Sequence, residues 1–250
     1  MDRRSFLAAG AGLCGAALLP HAWSAEKVSR FQMCLLKVGP HWNSRARALV
    51  KLSFEIQKRC NIPVETQFRE AGLDQVTAVE SPFFIISGDG AFAPPPVERA
   101  RQLRLVLGAG GILLFDDFSA EGDQAFYNSA RAFMKEVHPE VPGPAPLPAD
   151  HALYQSYYLL EKPRGRLNKS DFLEGWGSEQ RTTTFFSHND LLGALEADRL
   201  GTWKHNMEIG GNFRRELCFR LGINMAYYAL TINYKKDRAF PPIIERRRRQ

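Results

Sequence analysis

Cysteine is scarce in this sequence, with four in 250 residues, and no two of them stand at C-x-x-C spacing. A zinc or dithiol redox motif is thereby excluded. Cys34, Cys60 and Cys218 each sit inside apolar patterns, where a thiol behaves as a small hydrophobe; one disulfide is the alternative in an oxidising compartment. Long apolar runs are also missing. After the first turns of chain no stretch reaches 18 apolar residues, so nothing later reads as transmembrane. There is no internal repeat, and no composition shift marks a second domain. Net charge is modest, +6, and much of the excess lies in the closing ERRRRQ. A basic tail attracts anionic surfaces, but a solvated terminus accounts for it as well.

What is present begins with a leader. Arg3 and Arg4 precede an uncharged stretch, Phe6 to Leu19, too short to span a bilayer. Ala22 and Ser24 then place small side chains before a cleavage point after Ser24. Paired arginines ahead of Ser5-Phe6-Leu7 resemble a twin-arginine (Tat) export signal. Residues 1–24 are therefore expected to be removed and the mature chain to be periplasmic, or otherwise exported. Such a location leaves no nucleic-acid partner to expect. Residues 25–245 form one domain, long enough to bury a core, and 246–250 a basic tail.

Along that domain short apolar runs alternate with helical periodicity. Phe31–Val38, Phe83–Ser87 and Gly111–Phe115 predict near-continuous apolar strands and Pro63–Phe68 a more polar one; Asp171–Trp176 and Thr182–Ser187 predict two further strands, the latter β-branched and aromatic. Ser44 is expected to cap a helix running to Cys60. The three prolines at 94–96 are expected to open a helix that carries Val97, Ala100, Val106 and Leu107 and ends at Gly108. Phe126, Ala130, Phe133 and Val137 mark a third helix, and about Asn212 to Leu230 a long last one. Five prolines between Pro139 and Pro148 make that segment an extended crossing and not an element. Near-continuous apolar strands alternating with helices predict a mostly parallel sheet covered on both faces.

The runs FFIISGDGAF, GGILLFDD, LPADHALYQSYY, FLEGWGSEQRTTTFFSHNDL and LGINMAYYALTINYK, in that order, resemble the bacterial family of domains of unknown function DUF4159 over about residues 30–245. The resemblance implies a flavodoxin-like three-layer α/β/α sandwich, related to the class I glutamine amidotransferase-like and ThuA-like fold. It implies no reaction. Where the family has G-H-G, this chain has Gly88-Asp89-Gly90, so any work done by that histidine is in doubt. The turn at which amidotransferases carry a cysteine nucleophile reads FDDFSAEG here, without the cysteine or the small residues of a strained elbow. Amidotransferase chemistry is not expected. Some members occur joined to membrane or von Willebrand-type segments, which by analogy suggests an assembly role.

In open parallel sheets ligands bind beyond the carboxyl ends of the strands. The residues delivered there are His41, Trp42 and Asn43; Asp89; Asp116, Asp117 and Ser119; and His188, Asn189 and Asp190. One reading gives Asp89, Asp116, Asp117, His188 and Asp190 a divalent metal that activates water. No cofactor motif is evident, and such a metal is the one group these side chains would suit. A second makes Ser119 or Asp117 a nucleophile, with His188 as base oriented by Asp190. A third treats the set as a binding cleft for a small molecule, a glycan or an envelope protein partner, with His41, Trp42, Asn43, Asp89, Ser119 and Asn189 as contacts. Against all three stands structural use: Asp116 fixing a turn, Asp117 meeting Arg45 or Arg47. Asn224 is expected to make one buried hydrogen bond, and Lys235, Lys236 and Arg238 to offer a basic surface to a partner.

Overall fold

A computed structural model describes residues 30–77, 81–178 and 181–231. The expected leader, the basic tail and Lys235, Lys236 and Arg238 lie outside these residues.

The elements run β1 (Met33–Leu36), α1 (Ala46–Cys60), β2 (Arg69–Ala71), β3 (Phe83–Gly88), α2 (Val97–Gly108), β4 (Ile112–Asp117), α3 (Ala125–Val137), β5 (Ala145–Pro146), β6 (Glu174–Ser178), β7 (Arg181–Ser187), α4 (Leu191–Leu195) and α5 (Gly211–Thr231). They build one sheet of order β2-β1-β3-β4-β7-β6-β5. From β2 to β7 every pairing is parallel. Beyond β7 the sheet turns back on itself, with β6 and β5 antiparallel. The parallel part thus has the strand order of flavodoxin-like sheets.

Alternate residues of each strand face opposite layers. Met33, Leu35, Phe83, Ile85, Ile112, Leu114 and Phe185 pack under α1, α4 and α5. Cys34, Leu36, Phe84, Ile86, Leu113, Phe115 and Phe186 pack under α2 and α3. This is why FFIIS and ILLF carry no polar alternation: both of their faces are covered. Phe115 sits at the centre of the second layer, within ring contact of Phe92, Phe126, Phe133, Trp176 and Phe186.

Several expectations need correction. Ser44 does not cap α1; Arg45 occupies that position, with no side-chain cap. The second strand lies at Arg69–Ala71 and not at Pro63–Phe68, where only Val64 bridges to Phe31. On α2, Val97 is exposed and Leu103 takes the inward place. The crossing segment contributes two residues to the sheet edge, and α4 was not foreseen. α5 buries residues nearly all round, including Arg214 and Arg215. Asn224 makes far more than one bond. Its Oδ1 accepts from the Tyr157 and Tyr158 amides, and its Nδ2 donates to the Leu153 and Tyr158 carbonyls. Among the described residues the three cysteines are free thiols, Cys34 and Cys218 buried and Cys60 partly. Among the described residues no helix is long and apolar enough to cross a membrane.

Candidate functional site

The carboxyl ends of β4 and β7 lie side by side, Asp116 in register with Ser187. Asp116 is fully buried. Its two oxygens accept the Leu191 and Leu192 amides, each at 2.8 Å. It therefore caps α4, 75 residues further on, and fixes no turn of its own. Burial, and then the charge of Asp190, push its pKa up to about 7 despite those two amide bonds.

Asp190 is also fully buried and adopts the left-handed conformation, φ 51°. Aspartate tolerates this region better than most residues. Its carboxylate accepts the Gly193 amide at 2.9 Å, Arg45 Nε at 3.1 Å, Arg45 Nη2 at 3.2 Å and Arg166 Nε. Arg45 lies over the Phe118 ring, 4.3 Å from its centre, and places Nη1 2.8 Å from His205 Nε2. His205 also meets buried Glu196 at 2.9 Å. Burial, and next the Arg45 charge, hold the His205 imidazole below its ordinary value. Arg45, Arg166, Glu196 and His205 thus complete a charged knot. Sequence reading had considered only Arg45, and for the wrong aspartate.

Asp117 faces the other way. Its Oδ1 accepts the Ser119 amide at 2.8 Å and the Ser119 hydroxyl at 2.6 Å, a local turn of the kind aspartate favours. Lys169 Nζ approaches its Oδ2 at 3.7 Å and donates to the Ser119 carbonyl at 2.7 Å. Asp117 and His188 both line an open cleft of 610 Å³, together with Tyr127, Lys169, Phe172 and Glu174. Ser119 belongs to a neighbouring hollow of 300 Å³. The imidazole of His188 is engaged by Glu174, at 3.3 Å from Nε2 to Oε2, and not by Asp190. Tyr127 donates to the second oxygen of Glu174 at 3.1 Å.

The wall of the cleft is held by Asn189. Its Oδ1 accepts the Lys169 and Ser170 amides and its Nδ2 donates to the Ser170 carbonyl. Arg214 donates from below to the Gly165 and Leu167 carbonyls. A side chain on Gly165 would stand 2.1 Å from the Asn189 carbonyl oxygen, so only glycine fits this approach. Asn189 is therefore a buried fastener of the wall.

His41 and Asp89 meet at the ends of β1 and β3, His41 Nδ1 to Asp89 Oδ1 at 2.7 Å. His41 and Asn43 are exposed and Trp42 half-buried, with Lys37 Nζ over its ring at 5.3 Å. The expected residues therefore come together as four groups: Asp116 with Asp190, Asp117 with Ser119, His188 with Glu174, and His41 with Asp89. Among the described residues no three His, Cys, Asp or Glu side chains converge as metal ligands. Glu174, Tyr127 and Lys169 escaped sequence reading. Glu174 and Tyr127 alone had a signal, as polar residues inside the predicted strand Asp171–Trp176 and beside Phe126 in the predicted helix.

No curated protein matches the chain. The family model described as Domain of unknown function (DUF4159) matches residues 32–230. With most of its length covered by that match, the chain belongs to the DUF4159 family.

Proposed function

We propose that the mature chain is a binding or assembly protein of the cell envelope, exported by the twin-arginine route, whose cleft between the β4 and β7 loops receives a polar ligand. One observation carries this reading: Asp116 and Asp190, the two carboxylates deepest at the strand ends, are engaged on all oxygens by amides and arginines. Groups held in this way shape a wall; a nucleophile or base needs an oxygen or nitrogen left for the substrate. Ser119 is bonded to Asp117 and not to an imidazole, which weighs against serine chemistry. The flavodoxin-type strand order supports a relation to amidotransferase-like folds, and FDDFSAEG still lacks their cysteine.

The alternative is a hydrolase, metal-dependent or serine-type, working through Asp116, Asp117, His188 and Asp190. Elemental analysis of the protein purified from its export compartment separates the two. The binding reading expects no stoichiometric metal and no labelling of Ser119 by a serine-hydrolase probe. About one metal per chain, lost in Asp117→Asn or His188→Gln, would overturn it. Replacing Arg3 and Arg4 with lysine is expected to leave the protein in the cytoplasm; unchanged export would remove the envelope assignment.

A further inference from the structure

The cleft contains one histidine whose proton can be placed by geometry. Glu174 accepts from Tyr127 on Oε1 and faces His188 Nε2 with Oε2. Burial raises the pKa of Glu174, but hydrogen bonds from His188 and Tyr127 outweigh it and hold the carboxyl below its usual range. An ionised carboxylate only accepts, so the 3.3 Å contact is attractive only if Nε2 carries hydrogen. In a neutral imidazole the other nitrogen is then a bare acceptor. Among the described residues Nδ1 of His188 has no hydrogen-bond partner. The ring plane is fixed by Phe186, Tyr127 and Phe172, with centroids at 4.6, 5.2 and 6.4 Å.

The surroundings narrow what could meet that nitrogen. Phe172 is 41% exposed, an aromatic face at the cleft. Gln124, Asn168 and Ser170 add amides and a hydroxyl to the lining. Of the lining carboxylates, Asp117 has Lys169, and Asp171 has Lys162 and Arg164, while Glu121 and Asp123 add negative charge with no basic partner among the described residues. The lining thus repels anions and offers too much polarity to an apolar molecule, whose binding would leave those groups unpaired. A saccharide both donates and accepts around its ring and presents a C–H face to an aromatic.

We propose that His188, its Nε2–H held by Glu174, is the specificity-determining acceptor of the cleft, and that its ligand is a neutral saccharide donating a hydroxyl to Nδ1 while lying against Phe172. This rests on the binding reading above.

Long-range 1H–15N NMR of the histidine rings at about pH 8, where an ordinary imidazole is neutral, tests the first half without a ligand. The Nε2–H tautomer is expected at His188, assigned by its loss in His188→Gln. An Nδ1–H tautomer overturns the proposal. A panel of neutral, anionic and amino oligosaccharides, with the best binder followed by calorimetry, tests the second half. A neutral sugar is expected to bind, with affinity falling about tenfold in Glu174→Gln, the size of one lost hydrogen bond. A similar loss is expected in Phe172→Ala, an exposed position whose truncation leaves folding intact. Binding of the charged oligosaccharides alone would sink the assignment of a neutral sugar and leave the cleft reading standing. Neutral-sugar binding indifferent to both variants would move the site elsewhere. No binding by any probe, together with none to a small-molecule library, would remove both readings.

Discussion

Two polar clusters grow from the single tripeptide His188-Asn189-Asp190, and they have opposite fates. Asp190 turns into the protein through a left-handed backbone and meets Arg45 and Arg166. His188 stays at the cleft and meets one carboxylate, leaving a nitrogen to spare. Asn189 sits between them and bonds the wall. The clusters differ less in composition than in completeness. In the knot every carboxylate oxygen is answered from within, so its charges serve the fold. In the cleft the answering stops one atom short, which is what a ligand requires.

The sharpest way to break this contrast is to unpair the knot. Asp190→Ala leaves buried Arg45 and half-buried Arg166 without their carboxylate, and breaking a buried pair costs about 3–5 kcal/mol. Urea unfolding is expected to show that loss, with m unchanged. Asp116→Ala orphans the Leu191 and Leu192 amides and is expected to cost about 2–6 kcal/mol, at about 1–3 for each unsatisfied group. The loss of the α4 cap would appear first as faster hydrogen exchange at those two amides.

Next comes a pH test. The Asp116 pKa rises from 3.8 unfolded to about 7 folded. Between these values the folded state holds a proton that the unfolded chain has lost, so this group's contribution to stability falls as pH rises through the window. The stability of the native chain relative to Asp116→Asn is expected to decline between about pH 4 and 7 and level off above. A difference independent of pH would show that Asp116 is charged throughout. The smallest effect belongs to the cleft. Glu174→Gln is expected to change stability by less than about 1 kcal/mol, while altering the His188 tautomer. A large loss there would erase the distinction between the two clusters.

How much of this was legible in the sequence depends on the length over which a pattern repeats. β1, β3 and β4 announce themselves because both faces are buried and the apolar run is nearly unbroken, and β7 because it is β-branched and aromatic. β2 was displaced because it is a three-residue edge strand with polar Arg69 and Glu70. α4 was invisible: five residues give no 3.6-residue period, and its start is set by Asp116 from a distant strand. The site shows the same limit. Strand ends could be predicted to gather Asp116, Asp117, His188 and Asp190, since topology alone delivers them. Which of them would face outward could not, because that depends on one left-handed residue, on Arg166 arriving from a loop and on Glu174 arriving from β6. On an extended strand end His188 and Asp190, two residues apart, would share a face; the positive φ at Asp190 undoes that.

The two borders of the sheet carry a consequence of their own. One is the three-residue β2, with arginine and glutamate on it; the other is the two-residue β5, whose second residue is Pro146. A foreign strand joining either border would find a charged stub, or a proline without an N–H to give. Growth of the sheet by addition of chains is blocked at both ends, in a protein whose interior strands are among the most β-prone and apolar in its sequence. Any companion must therefore recognise it by side chains, on its helices or at its loops, and so reads what is particular to this sequence instead of a backbone that all sheets share.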